Sequence, residues 1–297
     1  MPYIEISILS NADDAELIAD GLTELDALSV TLEDAKDNAI FQINPNETPL
    51  WENVNVKALF TDTISPRTVI ADLKQLLGGH DVINYRIEKI ADEDWVRKTQ
   101  QHFKPQCYAD QLWICPNWHE EPLDGIVVRI DPGLAFGTGT HPTTSLCLDW
   151  LAHKPPNGKI VIDYGCGSGI LALAAVMLGA KHVYATDHDE QALIATNNNA
   201  QLNDDISSNN LTVCTPNHFP LIQADVIIAN ILSNPLIELE PVFAKLIKPQ
   251  GSLILSGILE HEIQAITHAY EPDFIIEQVE TKEQWALTLT TRRHIAK

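Results

Sequence analysis

The sequence predicts an α/β protein, a doubly wound and mainly parallel sheet preceded by a small α+β module. Two patterns carry that prediction. From residue 160 onward, short apolar β-branched runs alternate with Ala/Leu-rich or amphipathic stretches of helical length. Before residue 91, by contrast, the order reads strand, helix, strands, helix, strand. A polar stretch rich in charge and amide, residues 91–107, lies between them and reads as a linker helix. The expected organisation is therefore a recognition domain over 1–90, with a dimerisation domain as the alternative, a linker over 91–107 and a catalytic or binding domain over 108–297.

In the first module, residues 3–9 alternate like a strand with one buried face. A helix follows over 11–28, with Asn11 or Asp13 as cap, acids in its first turn, and Leu17, Ile18, Leu22 and Leu25 at helical spacing. Residues 29–32, 39–43 and 54–60 read as strands, with a Pro/Asn-rich loop at 44–49. Ser65-Pro66 opens a second helix that ends at Gly78-Gly79, and 82–90 supplies the last strand. None of these residues has the pattern of a catalytic group.

Strands at 112–115 and 125–130 lead into D-P-G-L-A-F-G-T-G-T-H-P-T-T, residues 131–144, and then a helix from about 143 to 153. That loop is poor in core-forming residues and offers amides and hydroxyls to a ligand before seating Thr143 or Thr144 at a helix start. The alternative is a loop that packs only on itself. His141, before a proline and without an acidic neighbour, reads as a loop hydrogen-bonder and not a base.

The centre of the chain is K-I-V-I-D-Y-G-C-G-S-G-I-L-A-L-A-A, residues 159–175. A buried strand at 160–162 and Asp163 precede glycines 165, 167 and 169, and a helix runs on to about Gly179. Glycines at such a turn let the backbone take positive φ and bring a ligand against amides. The spacing is G-x-G-x-G, not the G-x-G-x-x-G of pyrophosphate binders. A second strand ends in Asp187, 22 residues after Gly165, at the spacing of a ribose-binding acid. Asp189 suits the helix cap better. Asp163 is placed to meet a cationic ligand. An adenosine lacking pyrophosphate but carrying an ammonium and a carboxylate fits this set, and that ligand is S-adenosylmethionine.

Further on, a helix over 189–202, a strand at 211–214 and a buried strand at 224–232 bring Asn230 to a strand's carboxyl end. Helix 234–247, strand 251–256, helix 260–270 and a closing antiparallel hairpin of 274–279 with 285–290 complete the domain. Asp163, Gly165, Asp187 and Asn230 then share the carboxyl edge of the sheet, where ligands of such folds bind.

Composition narrows the function. The formal charge of the 297 residues is −22, and residues 1–95 hold 19 acids against 6 bases. Direct binding of a phosphate backbone is disfavoured, and a basic partner is the natural complement, with plain solubility as the alternative. No apolar run approaches the roughly 18 residues of a membrane span, and the N-terminus lacks a basic leader, so a cytoplasmic location is expected. Five scattered cysteines (107, 115, 147, 166, 214) suggest reduced thiols and no zinc site or disulfide framework. Cys166 has no His–Asp pair to activate it.

The motifs D-P-G-L-A-F-G-T-G-T-H-P-T-T at 131–144, V-I-D-Y-G-C-G-S-G-I-L at 161–171 and A-N-I-L at 229–232 together resemble the ribosomal protein L11 methyltransferases, across the whole chain. That resemblance implies a Rossmann-like class I S-adenosylmethionine-dependent methyltransferase sheet behind an N-terminal ferredoxin-like domain. It implies methylation of lysine side chains and the N-terminal α-amine of a basic large-subunit ribosomal protein docked on the first domain, by a monomer without a metal. It also implies cofactor contacts from Thr144, Gly165, Asp187 and Asn230, beside the Asp163 and Gly167 of the glycine turn, with Phe136, Gly137 and Thr138 closing over the site. Asn230 is the expected catalytic residue, aiming the amine lone pair, in the place of the N-P-P-Y asparagine of glutamine and adenine N-methyltransferases. Competing readings are a methyltransferase for another protein, RNA or a small molecule, a nicotinamide-dependent oxidoreductase, and a non-catalytic binding module. The glycine spacing, Asp163 and the closing hairpin count against the oxidoreductase.

Overall fold

The computed structural model describes residues 2–36, 50–78, 84–90, 103–120, 122, 124–131, 139–220 and 222–293. The expected strand at 39–43 and most of the linker lie outside them; of the linker's last residues, 103–105 are not helical and Gln106 and Cys107 belong to a strand. The chain divides into two compact units, Met1–Arg97 and Lys98–Lys297.

In the first unit, β1 (Tyr3–Asn11), β2 (Ser29–Asp34), β3 (Asn53–Thr61) and β4 (Tyr85–Ile90) form an antiparallel sheet in the order β2-β3-β1-β4. Helices α1 (Ala12–Glu24) and α2 (Pro66–Leu76) complete the ferredoxin-like order. Alternation decides which face is buried. Ile6 and Ile8 on β1 and Val54, Val56, Ala58 and Phe60 on β3 point into one core with Ile18, Leu22 and Leu73 of the helices. Asn11 caps α1 by accepting the Asp14 N–H at 2.9 Å. The helix stops at Glu24, short of the expected Leu28, because Asp26 turns left-handed at φ 64°.

The second unit opens with a small sheet of β5 (Gln106–Tyr108), β6 (Leu112–Pro116) and β7 (Ile126–Ile130). The main sheet contains β8 (Ile160–Tyr164), β9 (His182–Thr186), β10 (Leu211–Cys214), β11 (Ala224–Asn230), β12 (Ile247–Leu259), β13 (Phe274–Lys282) and β14 (Trp285–Arg292). Their order is β10-β9-β8-β11-β12-β14-β13. The first five are parallel, whereas β14 inserts antiparallel between β12 and β13. Helices α3 (Pro142–His153), α4 (Ile170–Met177), α5 (Glu190–Gln201), α6 (Ser233–Leu246) and α7 (Ile263–Tyr270) separate the strands along the chain.

Helix α4 is apolar on every side because it lies deep in one core, with α3 and the inward residues of β7, β8 and β9. On the opposite face, α6 and α7 pack Leu236, Phe243, Ile266 and Tyr270 against Ile162, Ile227 and Leu255. Helices on both faces explain why the central strands read as continuous apolar runs. Strand order reverses between β8 and its neighbours β9 and β11, so their carboxyl ends frame a crevice.

Candidate active site

At the end of β8, Gly165, Gly167 and Gly169 all take positive φ (80°, 55° and 81°), so the turn folds back on the sheet. The amides of Gly165 and Cys166 both donate to the Thr186 carbonyl, at 2.8 and 3.0 Å, and that of Gly167 to Asp187 Oδ2 at 3.0 Å. The expectation of bare amides facing a ligand is therefore corrected for these three. Positive φ turns them onto the carboxyl end of β9, and the glycines leave cavity wall where side chains would stand. The helix start is likewise satisfied in part, since the Ala172 N–H donates to Asp163 Oδ2 at 2.9 Å.

Asp163 is consequently buried, 1 % exposed, and does not line the cavity. Its Oδ1 has no hydrogen-bond partner among the described residues. Desolvation by burial raises its pKa to about 7, against the opposing Ala172 hydrogen bond and with help from the Asp187 charge. The folded protein thus keeps a proton that the unfolded chain, with a carboxyl pKa of 3.8, has already lost. Stability from this group declines as pH rises from about 4 to about 7 and levels off above, where both states are ionised. Asp163→Asn should remove that dependence. The difference in Tm between variant and parent should climb in the variant's favour from pH 4 to 7, and a constant difference would refute it.

Asp187 ends the neighbouring strand and does line the cavity. Its Oδ1 accepts the Asp189 N–H at 3.0 Å and lies 3.3 Å from His188 Nδ1. Each carboxylate oxygen has a second lone pair, so a pair of ribose hydroxyls finds two acceptors there. Asp189 caps α5 by accepting the Gln191 N–H at 2.9 Å.

From the other side, β11 delivers Asn230 to the same cavity. Its Nδ2 donates to Thr144 Oγ1 at 3.2 Å, which leaves Oδ1 as the acceptor end of the amide. Thr144 is fully buried and is not part of the cavity wall; Thr143 and His141 are. His141 Nδ1 accepts from Thr143 at the start of α3, and the ring meets Trp285 edge-on at 5.1 Å. Burial, the larger influence, pushes its pKa down.

The cavity holds about 790 Å³, within the range of small-molecule sites. Gly165, Gly167, Asp187 and Asn230 line it together, as expected, joined by Tyr164, Pro216 and Glu238. Phe136, Gly137 and Thr138 lie outside the described residues. Sequence reasoning missed Trp285 and Gly257 as wall residues. Neither belongs to a local motif; both arrive through the pairing of β12 with β14. Gly257 has φ 83°, and a Cβ there would stand 2.3 Å from the Ile231 carbonyl oxygen. Gly257→Ala should cost about 3 kcal/mol through strain and collision, seen as a fall in Tm of roughly 6–12 °C. A fall under about 2 °C would show that Ile231 yields freely.

Among the described residues no lysine or arginine lines the cavity, while Asp187 and Glu238 do. Such a wall suits a cationic nucleoside and gives no counter-charge to a pyrophosphate, so the donors fit S-adenosylmethionine. Cys166 is ruled out as a nucleophile: burial drives its thiol pKa far up, and Sγ lies 3.4 Å from Thr196 Oγ1. The described residues contain no cluster of three or more metal-ligating side chains.

Sheet order, the glycine turn and the acid at the end of β9 are those of a class I S-adenosylmethionine-dependent methyltransferase. Residues 2–293 match the family model described as ribosomal protein L11 methyltransferase (PrmA). Relatives of that name from Nitrosococcus oceani and Pseudomonas putida are 45 % and 42 % identical over 294 residues, covering 99 % of this chain and 100 % of each relative. A crystal structure of ribosomal protein L11 methylase from Lactobacillus delbrueckii subsp. bulgaricus is similar, with 34 % identity and a TM-score of 0.59, over 65 % of this chain and 100 % of that one. The chain belongs to the ribosomal protein L11 methyltransferase family, and it is a protein methyltransferase.

Proposed function

We propose that this enzyme transfers methyl groups to lysine side-chain amines and the N-terminal α-amine of large-subunit ribosomal protein L11, in the cytoplasm and as a monomer. The observation that carries the reading is Asn230, with its amide tethered to Thr144 and its side chain in the cavity that Asp187 also lines. S-adenosylmethionine supplies, when bound, an electrophilic methyl on a sulfonium. Asp187 binds the ribose hydroxyls, and the glycine turn gives the cofactor room against the sheet. Asn230 Oδ1 accepts an N–H of the incoming amine and so aims its lone pair.

Positioning is the main contribution asked of the protein, since methyl transfer to a neutral amine needs no covalent help. Holding nucleophile and electrophile near attack distance supplies on the order of 7–11 kcal/mol. A lysine of ordinary pKa is neutral in roughly one molecule in 2,500 at pH 7. The largely apolar cavity walls favour that neutral form by desolvating the ammonium. The excess of acids in residues 1–95 supports docking of a basic protein on the first unit.

Purified L11, this enzyme and methyl-labelled S-adenosylmethionine make the test. Label should enter L11 and release as methylated lysine and N-terminal residue after hydrolysis. Label confined to small molecules or to RNA would overturn the proposal.

A further inference from the structure

Three polar side chains of the α5 segment belong to no part of the cavity wall, yet they are buried: Thr196 (0 % exposed), Asn199 (2 %) and Asn203 (6 %). Thr196 and Asn199, three residues apart, share a face of α5, and Asn203 follows just past its end. Thr196 Oγ1 donates to the Gly167 carbonyl at 3.0 Å. Asn199 Nδ2 donates to the Ser168 carbonyl at 2.9 Å, and its Oδ1 accepts the Asp131 N–H at 2.7 Å. Asn203 accepts the Arg129 N–H at 2.8 Å and donates to the Arg129 carbonyl at 2.9 Å and to the Asn199 carbonyl at 2.8 Å, so it reaches β7 and the helix backbone but not the glycine turn.

Asn199 therefore joins, through one amide, the glycine turn and the first residue of the 131–144 motif. Both of its bonds go to backbone, so they specify where those two segments sit and not which side chains they carry. We infer that Asn199 is a positioning residue for cofactor binding, a strut between Ser168 and Asp131 that holds the glycine turn in its binding-competent shape. Thr196 assists at Gly167, whereas Asn203 is structural only.

Gly167, on the cavity wall, precedes Ser168 in the turn. Its N–H is committed to Asp187 and its carbonyl to Thr196, so both its peptide planes are set from outside the turn. Removing the Asn199 amide leaves the Ser168 carbonyl and Asp131 N–H without that partner, and the turn gains alternative conformations. The apparent cofactor Kd rises in inverse proportion to the competent fraction, while turnover at saturating cofactor is preserved.

The inference rests on the cofactor reading of the cavity, and its test separates the two. Dissociation constants for S-adenosylmethionine and S-adenosylhomocysteine, measured by calorimetry, are compared with amide exchange at 166–169 in cofactor-free protein. Asn199→Ala should raise both Kd values about tenfold, with kcat at saturation within about twofold and faster exchange in the turn. Thr196→Val, nearly isosteric, should raise Kd about three- to fivefold and stands as the test if Asn199→Ala folds poorly. Asn203→Ala should lower Tm yet leave Kd and turn exchange within about twofold of the parent. Equal Kd increases for Asn199→Ala and Asn203→Ala, or unchanged Kd and exchange in Asn199→Ala and Thr196→Val, would overturn the strut. A parent enzyme that binds neither ligand would overturn the cofactor reading instead, and with it the strut.

Discussion

Asn230→Ala is expected to lower kcat by about 10²-fold while the cofactor Kd changes less than about fivefold. The asymmetry comes from where the amide is held. Its Nδ2 is occupied by Thr144 Oγ1, which leaves Oδ1, an acceptor suited to an amine N–H, as the other end of an amide on the cavity wall. On the proposed role, alanine removes the group that would aim the nucleophile and leaves the Asp187 side of the cavity untouched. The measurement is single-turnover methyl transfer to L11 beside calorimetric binding of S-adenosylhomocysteine. Proportionate losses in both would make Asn230 a cofactor ligand only. Thr144→Val should move kcat in the same direction by a smaller factor, because it frees the amide to rotate without deleting it.

Asp187→Ala should show the opposite split, with cofactor Kd raised on the order of 10²–10⁴-fold and kcat at saturation reduced only slightly. Two hydrogen bonds from ribose hydroxyls to a carboxylate, each contributing about 1.5–3 kcal/mol, set that scale. Part of the loss is indirect, since Asp187 also receives the Gly167 and Asp189 amides that shape the turn and the start of α5. Asp187→Asn separates the parts, because its amide retains one acceptor oxygen and so only half of these interactions. Its Kd should fall between parent and alanine variant. Unchanged affinity in Asp187→Ala would refute the ribose assignment.

Much of this was legible along the chain because the relevant signals are local. Period-two burial on β1 and β3, Pro66 at a helix start, glycines between β8 and α4, and an acid at the end of β9 each depend on a few neighbouring residues. Residues that act through space were harder. Asp163 looks in sequence like a ligand for a cation, yet its carboxylate turns inward to the Ala172 amide. Thr144 and Asn230 are 86 residues apart, and only the packing of α3 beside β11 makes them partners.

The sequence by itself determined the fold class, the two-unit layout, the cofactor type and the strand ends that carry Gly165, Asp187 and Asn230, because periodicity and turn chemistry are written in adjacent residues. Only the tertiary structure decided which amides of the turn are already spent, that the Asn230 amide nitrogen is taken by Thr144, and that Trp285 and Gly257 wall the cavity. Those outcomes follow from strand order and from hydrogen bonds closed across the sheet, and no local stretch of chain encodes either.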